Sequence, residues 1–275
     1  MYKGISKITF AVLLAISLQS CGDKDRDAAE SLYSRSEQAI EQKNYSEALA
    51  LLDSLDTRYP KQTGVRRDAL RLRASAMEGI AIDSIGAADA ELAQATMDVE
   101  KWAPLFRHVD SSVGLEGYFI PAKAKSNILN STGIEARVSD EGYFYAVANV
   151  QKKSIGLRSI ELVSGDDRVS SAEISPERLI SVEGSEMASF NPEDLEALSR
   201  WLLAHPNPEK LVLVGSKSSV TVKLSAAQAS ELTDCAEYAR AWRAKYLASL
   251  RREKFERMLA TARDQLANMP QKNAE

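Results

Sequence analysis

Few residues in this chain are of the types that perform catalysis or bind metals. The 275 residues include two histidines, His108 and His205, and two cysteines, Cys21 and Cys235. Four such side chains scattered along a chain form neither a typical structural zinc site nor a framework of disulfides. The sequence also contains no Gly-x-Ser-x-Gly, Ser-x-x-Lys or His-Glu-x-x-His pattern. We therefore predict no catalytic residue, no metal and no cofactor.

Each of these side chains has a structural explanation. His108 and His205 fall at the ends of predicted helices, where an imidazole interacts favourably with the helix dipole. Cys235 lies on the apolar stripe of a predicted helix, and no histidine is near it in sequence, so we expect a buried, unreactive thiol. A hydrolase site assembled from residues distant in sequence stays open, because such a site is defined by geometry.

The composition is that of a globular protein. Hydrophobic residues make up 44% of the chain and charged residues 27%, which is enough for one large or two small cores. Lys and Arg total 35 against 39 Asp and Glu, a net charge of -4. This balance does not favour binding to a phosphate backbone, so we exclude nucleic acid as a partner.

The first twenty residues have the pattern of a signal peptide. Lys3 and Lys7 accompany the uncharged run 8–18 (ITFAVLLAISL). A membrane-spanning helix needs roughly 20 apolar residues, so this run is too short to remain in the bilayer. An ordinary secretory signal is one interpretation.

A second interpretation comes from the residues that end this run. Leu18, Gln19, Ser20 and Cys21 resemble the lipobox of bacterial lipoproteins, although Gln19 departs from the usual small or apolar residue. The resemblance implies that signal peptidase recognises Leu18, Gln19 and Ser20. It also implies that acyl groups on Cys21 anchor the protein to a membrane. We expect an outer-membrane location in the cell envelope, on the periplasmic face or the cell surface, with residues 21–30 as a flexible acidic tether.

Residues 31–112 have helical periodicity. Two helices separated at Lys43-Asn44 predict a hairpin, and the stretch from Asp83 to about His108 predicts one further helix. The hairpin is similar to one tetratricopeptide repeat on these residues: Leu32, Ala39, Tyr45, Ala48, Leu52, Leu55 and Pro60. Because one repeat cannot bury its apolar face alone, another part of the chain or a partner must cover it.

Residues 113–225 have the pattern of an antiparallel β domain. A helix is predicted over 192–205, and Gly215-Ser216-Lys217-Ser218 predicts a β-turn because it lacks the context of a phosphate loop. A capping box at Ser225 predicts a long helix over 226–268, whose apolar stripe changes phase after Leu250, followed by a disordered tail at 269–275. The fold class is therefore α+β. Strands are predicted at 134–138, 143–150, 157–164, 168–174, 178–183, 187–190, 211–214 and 220–224.

Three functions remain open. The first is a non-enzymatic scaffold or adaptor whose helical groove, around Tyr45, Leu49 and Leu52, binds a protein or peptide. The second is a β domain that binds a glycan or small ligand, and the third is a hydrolase with an unrecognised site. The general plan resembles envelope lipoproteins of Bacteroidetes-type bacteria, mainly over residues 18–60, and no function follows from that likeness. The second function would use four aromatic residues: Tyr118, Phe119, Tyr143 and Tyr145.

We predict that Cys21→Ser abolishes incorporation of labelled fatty acid and moves the protein from the membrane to the soluble fraction, because the acylated thiol is the expected anchor. Metabolic labelling followed by fractionation measures both effects. Unchanged membrane retention of the variant would contradict the prediction.

Overall fold

A computed structural model describes residues 6–110, 117–124 and 128–269, with side chains from residue 24 onward. It confirms the α+β class, with two antiparallel sheets and long helices at both ends of the chain. Within the described segments, no helix has an apolar stretch sufficient to cross a bilayer. The helices are α1 (Ser6–Glu41), α2 (Tyr45–Arg58), α3 (Thr63–Trp102), α4 (Glu196–Ala204) and α5 (Ala226–Asn268).

The chain divides into two compact units. The helical unit comprises residues 1–89 and 251–275, and the β-rich unit comprises residues 90–250. Helices α3 and α5 therefore contribute residues to both units, and the units do not follow the predicted boundaries near 112 and 225. Within α5, the boundary between the two units lies directly after Leu250, at the position where the apolar stripe of the helix changes phase.

In the helical unit, α1 and α2 form the predicted hairpin. Ala39 and Ala48 are buried where the two helices approach, together with Ala76 of α3. Lys43, in the connecting turn, has a positive φ of 61°. The ring of Tyr45 lies against Gly79, where a Cβ atom would come within 2.3 Å of the ring. Glycine at position 79 therefore leaves the space that the Tyr45 ring occupies.

Other segments of the same unit cover the hairpin. Two arginines of α3 pair with carboxylates of α2: Arg66 with Asp56 at 2.7 Å, and Arg73 with Asp53 at 2.7 Å. In the C-terminal part of α5, Ala262 is fully buried. Arg252 pairs with Asp89 and Arg263 with Glu78. The expectation that a later part of the chain covers the N-terminal helices therefore agrees with the structure.

Three predictions for the N-terminal half are wrong. Residues 24–30 are not a tether but part of α1, because Ala29 is fully buried in the core of the helical unit. No helix begins at Asp83, since α3 runs without interruption from Thr63. The helix also ends at Trp102 instead of His108, because Pro104 has no amide hydrogen to continue it. The tail at 270–275 lies outside the described residues.

The β-rich unit contains two antiparallel sheets. One has six strands in the order β1-β2-β3-β4-β8-β7, and the other has four in the order β10-β9-β5-β6. Most predicted strands are present with similar bounds, whereas neither β1 nor β2 is among the predicted strands, and β1 precedes residue 113. The strands are β1 (Phe106–Val109), β2 (Tyr118–Pro121), β3 (Gly133–Ser139), β4 (Phe144–Val150), β5 (Leu157–Ser164), β6 (Asp167–Ser170), β7 (Leu179–Val182), β8 (Ser185–Phe190), β9 (Lys210–Gly215) and β10 (Ser219–Lys223).

The first half of α5 packs on the six-stranded sheet within the β-rich unit. Tyr238 stacks on Phe106 of β1 with ring centroids 4.1 Å apart. The helix begins with the predicted capping box: Ser225 N–H donates to Gln228 Oε1, and Gln228 N–H donates to Ser225 Oγ. Gly142, at φ +80°, lies against the α5 backbone at Arg243, where a Cβ atom would collide at 2.2 Å.

Helix α4 begins later than predicted, at Glu196 instead of residue 192. Residues 191–194 form a turn in which the Asp194 carboxylate accepts hydrogen bonds from Asn191 N–H and from Arg178. Leu195, Leu198 and Leu202 are buried in the core of the β-rich unit. The predicted apolar face of this helix is therefore correct, although its first turn is not helical.

A buried carboxylate joins the two sheets. Glu186 of β8 accepts hydrogen bonds from the amides of Ile155, Gly156 and Leu157, each at 3.0 Å, and from Ser154 Oγ. These residues form the entry to β5 in the other sheet. Burial alone would raise the pKa of Glu186, but these hydrogen bonds lower it below its usual value of 4.5.

We predict that Glu186→Gln lowers the free energy of unfolding by about 2 kcal/mol or more, because an amide replaces an ionised acceptor facing three N–H groups. Trp102, Trp201 and Trp242 all lie in the β-rich unit, so urea unfolding followed by tryptophan fluorescence measures this unit. The pKa of Glu186 is lower in the folded state than in the unfolded state. The carboxylate therefore stabilises the fold at a pH above its unfolded-state pKa, and this stabilisation is lost as the pH falls through the folded-state pKa.

The difference in the free energy of unfolding between the variant and the wild-type chain should therefore decrease at acidic pH. Glu173→Gln is the matched control, since the side chain of Glu173 is 71% exposed and should change stability by less than about 0.5 kcal/mol. Equal effects of the two substitutions would show that Glu186 has no special structural role.

Candidate ligand-binding site

The three residues of the predicted helical groove do not line an open groove. Leu52 is buried at 1% exposure among Ala29, Leu55 and Ala69, so its prediction as a partner contact is wrong. Leu49 packs partly on the same core, and Tyr45 lies on Gly79. Helix α3 of the same unit thus occupies the surface that a partner was expected to cover.

Two of the four predicted aromatic contacts also lie elsewhere. Phe119 packs in the core of the β-rich unit, where its ring stacks on Trp242 at 5.4 Å. The Arg243 guanidinium covers the ring of Tyr143 at 4.2 Å. Phe119 is therefore not free to bind a ligand, and Tyr143 lines a different concavity from the one that Tyr118 lines.

Tyr118 and Tyr145, in contrast, meet on the outer face of the six-stranded sheet. Their ring centroids are 6.3 Å apart in an edge-to-face arrangement, and the Arg137 guanidinium lies 4.3 Å from the Tyr118 ring. Arg137 forms an ion pair with Glu135, with 2.6 Å between guanidinium nitrogen and carboxylate oxygen. The two residues are two positions apart on the same strand and therefore lie on the same face. We call Tyr118, Tyr145, Arg137 and Glu135 the tyrosine face.

The tyrosine face borders a concavity of about 440 Å³. Its walls combine charged side chains with apolar ones, a combination typical of small-ligand sites. Burial raises the pKa of Tyr145 to about 12, an effect that nearby Arg137 opposes, so the phenol stays neutral and can donate a hydrogen bond. Residues that line the concavity include Arg107, Tyr118, Glu135, Arg137, Val147 and Met187.

A second concavity, which we call the cleft, has a volume of about 580 Å³. No sequence pattern predicts it. Ile134 of β3, Val222 of β10 and Leu232 of α5 line it, so its apolar wall combines β3 with two consecutive elements much later in the chain. Glu231 lies in the cleft, and burial followed by the nearby charge of Asp234 raises its pKa.

His108 is not at a helix end as predicted but in β1. Its Nδ1 lies 2.8 Å from Asp110 and its Nε2 lies 3.1 Å from Asp140, so both ring nitrogens are engaged. Burial alone would lower the pKa of His108, but the hydrogen bonds to the two carboxylates raise it. An imidazole held at both nitrogens is poorly placed to accept a proton from a substrate.

The other candidates have structural roles. His205 caps the C-terminus of α4, as predicted, with Nδ1 3.1 Å from Trp201 O. Cys235 is fully buried, and burial raises the pKa of its thiol, as expected for an unreactive cysteine. Ser216 and Lys217 form a β-turn, and their amides donate to the carbonyls of Gly156 and Ile155. In the described part of the chain, no three His, Cys, Asp or Glu residues are grouped to hold a metal ion.

The lipobox residues Leu18, Gln19, Ser20 and Cys21 lie outside the residues whose side chains are described. Comparison of the chain with protein families, with curated proteins and with solved structures finds no match. The tyrosine face and the cleft therefore have to be interpreted from their own chemistry.

Proposed function

We propose that this protein is a lipid-anchored lipoprotein of the cell envelope whose β-rich unit binds a glycan without catalysing a reaction. The observation that carries the proposal is the convergence of Tyr118, Arg137 and Glu135 on one concavity of the sheet. Of the earlier hypotheses, ligand binding by the β domain keeps an accessible site, whereas the helical groove is filled.

The chemistry of the tyrosine face suits a sugar. A pyranose ring has a face of C–H groups, which packs on an aromatic ring, and an edge of hydroxyl groups, which needs donors and acceptors. Tyrosine supplies both an apolar ring and a polar hydroxyl. Arg137 is a pure donor and Glu135 a pure acceptor, and their mutual contact orients both groups before a ligand arrives.

The proposed anchor places this site at a membrane surface. Acyl chains on Cys21 would keep the binding unit close to the glycans of the cell envelope, and binding at a surface gains from the high local concentration of both components. The anchor and the site are separate parts of the proposal, because neither depends on the chemistry of the other.

We predict that Tyr118→Ala and Arg137→Ala each weaken glycan binding about tenfold or more, because they remove the stacking surface and the donor. Retention on gels that contain cell-wall or capsular polysaccharides, followed by calorimetry with the retained glycan, measures the loss. Tyr143→Ala is the matched control, since Arg243 covers that ring at a different place. If no glycan is retained, or if Tyr143→Ala is as damaging as Tyr118→Ala, the proposed site is wrong.

The adaptor hypothesis has one observation in its favour. Strand β7 is the outermost strand of the described sheet on its side, and it exposes Ile180 at 52% and Val182 at 61%. An outer strand has unpaired backbone groups that an extended peptide can bind. A peptide with apolar side chains at alternate positions would cover both residues, since they lie on the same side of the strand.

We predict that Ile180→Lys abolishes crosslinking of a peptide or protein partner, because a lysine on an outer strand opposes the addition of another strand. Crosslinking in native membranes followed by mass spectrometry identifies the partner. Leu70→Lys is the control, since Leu70 is 50% exposed but belongs to the helical unit. A partner captured equally by both variants would not bind at β7.

A further inference from the structure

The cleft in the β-rich unit contains a carboxylate that has no partner among the described residues. Glu231 is half-buried, and within the described chain neither a hydrogen bond nor an ion pair satisfies its carboxylate. The charge of Asp234, which is also negative, acts on it. A carboxylate that has lost part of its hydration and gained no cation is destabilised in its ionised form.

The other charged groups that the structure describes in the cleft do not neutralise Glu231. Glu135 also lines the cleft, but it is paired with Arg137. Lys123 is exposed and therefore keeps its hydration. The cleft thus has an apolar wall and a negative group that a bound cation would stabilise.

We propose that the cleft binds an amphipathic amine, with its apolar body between the sheets and α5 and its ammonium group on Glu231. The volume of about 580 Å³ lies within the range of small-molecule sites. An ammonium supplies the donors that Glu231 lacks, in a place where burial strengthens a charge-assisted hydrogen bond. The cleft shares the lining residue Glu135 with the concavity beside the tyrosine face, but this proposal does not rest on the glycan proposal.

Three probes with the same apolar chain separate charge from hydrophobicity: octylamine, octanoate and octan-1-ol. Calorimetry at about pH 7.5 on the full chain with Cys21→Ser should show octylamine binding about tenfold or more tighter than the other two, since a charge-assisted hydrogen bond to a partly buried group contributes at least this much. Equal binding of all three probes, or a preference for octanoate, would overturn the proposal.

Two variants locate the site. Glu231→Gln should remove the preference for octylamine and leave octan-1-ol binding unchanged. Ala227→Trp, on the exposed rim of the cleft, should weaken all three probes. Glu237→Gln is the control, because Glu237 lies on the same helix but pairs with Arg240. Octylamine binding that survives both cleft variants would show that it binds elsewhere.

The pH dependence provides a test that needs no variant. Octylamine stays protonated at every pH of this test. A change in its affinity therefore reports the titration of a group of the protein. Because the pKa of Glu231 is raised, the affinity should fall on acidification at a higher pH than an ordinary Glu would give. Asp234, Glu135 and Lys123 are the other charged groups near the cleft. An affinity that does not change down to about pH 4.5 would contradict a role for Glu231.

Discussion

The β-rich unit depends on the buried carboxylate of Glu186. It stands on β8 of one sheet and accepts the amide hydrogens at the entry to β5 of the other. On the other side of the same segment, the carbonyls of Ile155 and Gly156 accept hydrogen bonds from the turn between β9 and β10. The segment 154–157 is therefore held from both sides, and this fixes how the strands of the two sheets can pack. The apolar wall of the cleft contains residues of both sheets, so its shape depends on the same contact.

The two long helices show how one element serves two cores. Up to Leu250, α5 buries residues such as Cys235 and Tyr238 in the β-rich unit, and beyond that point it buries Ala262 in the helical unit. The boundary between the two units within α5 coincides with the change of phase of its apolar stripe. The phase change after Leu250 was visible in the sequence. In α3, by contrast, Asp83 was predicted to begin a helix but lies inside one.

The sequence predicted the β-rich unit better than its sites. The longer strands were predicted because β-branched residues alternate between turn residues, and the capping box placed the start of α5 correctly. Strands β1 and β2 were missed because each has only four residues and the two strands pair with each other. Tyr118 and Phe119 are neighbours in a strand and point to opposite faces, so the period of the strand already shows that only one of them can face a given ligand. The cleft was not predictable, because its residues come together only through tertiary packing.

The contact between Tyr45 and Gly79 links two positions that are far apart in sequence. Any side chain at 79 would occupy the space of the tyrosine ring, and a small residue at 45 would leave an empty volume between the hairpin and α3. Neither position can vary alone without strain or loss of packing. Among divergent descendants of this chain, the two sites should therefore co-vary, with bulk gained at one accompanied by bulk lost at the other.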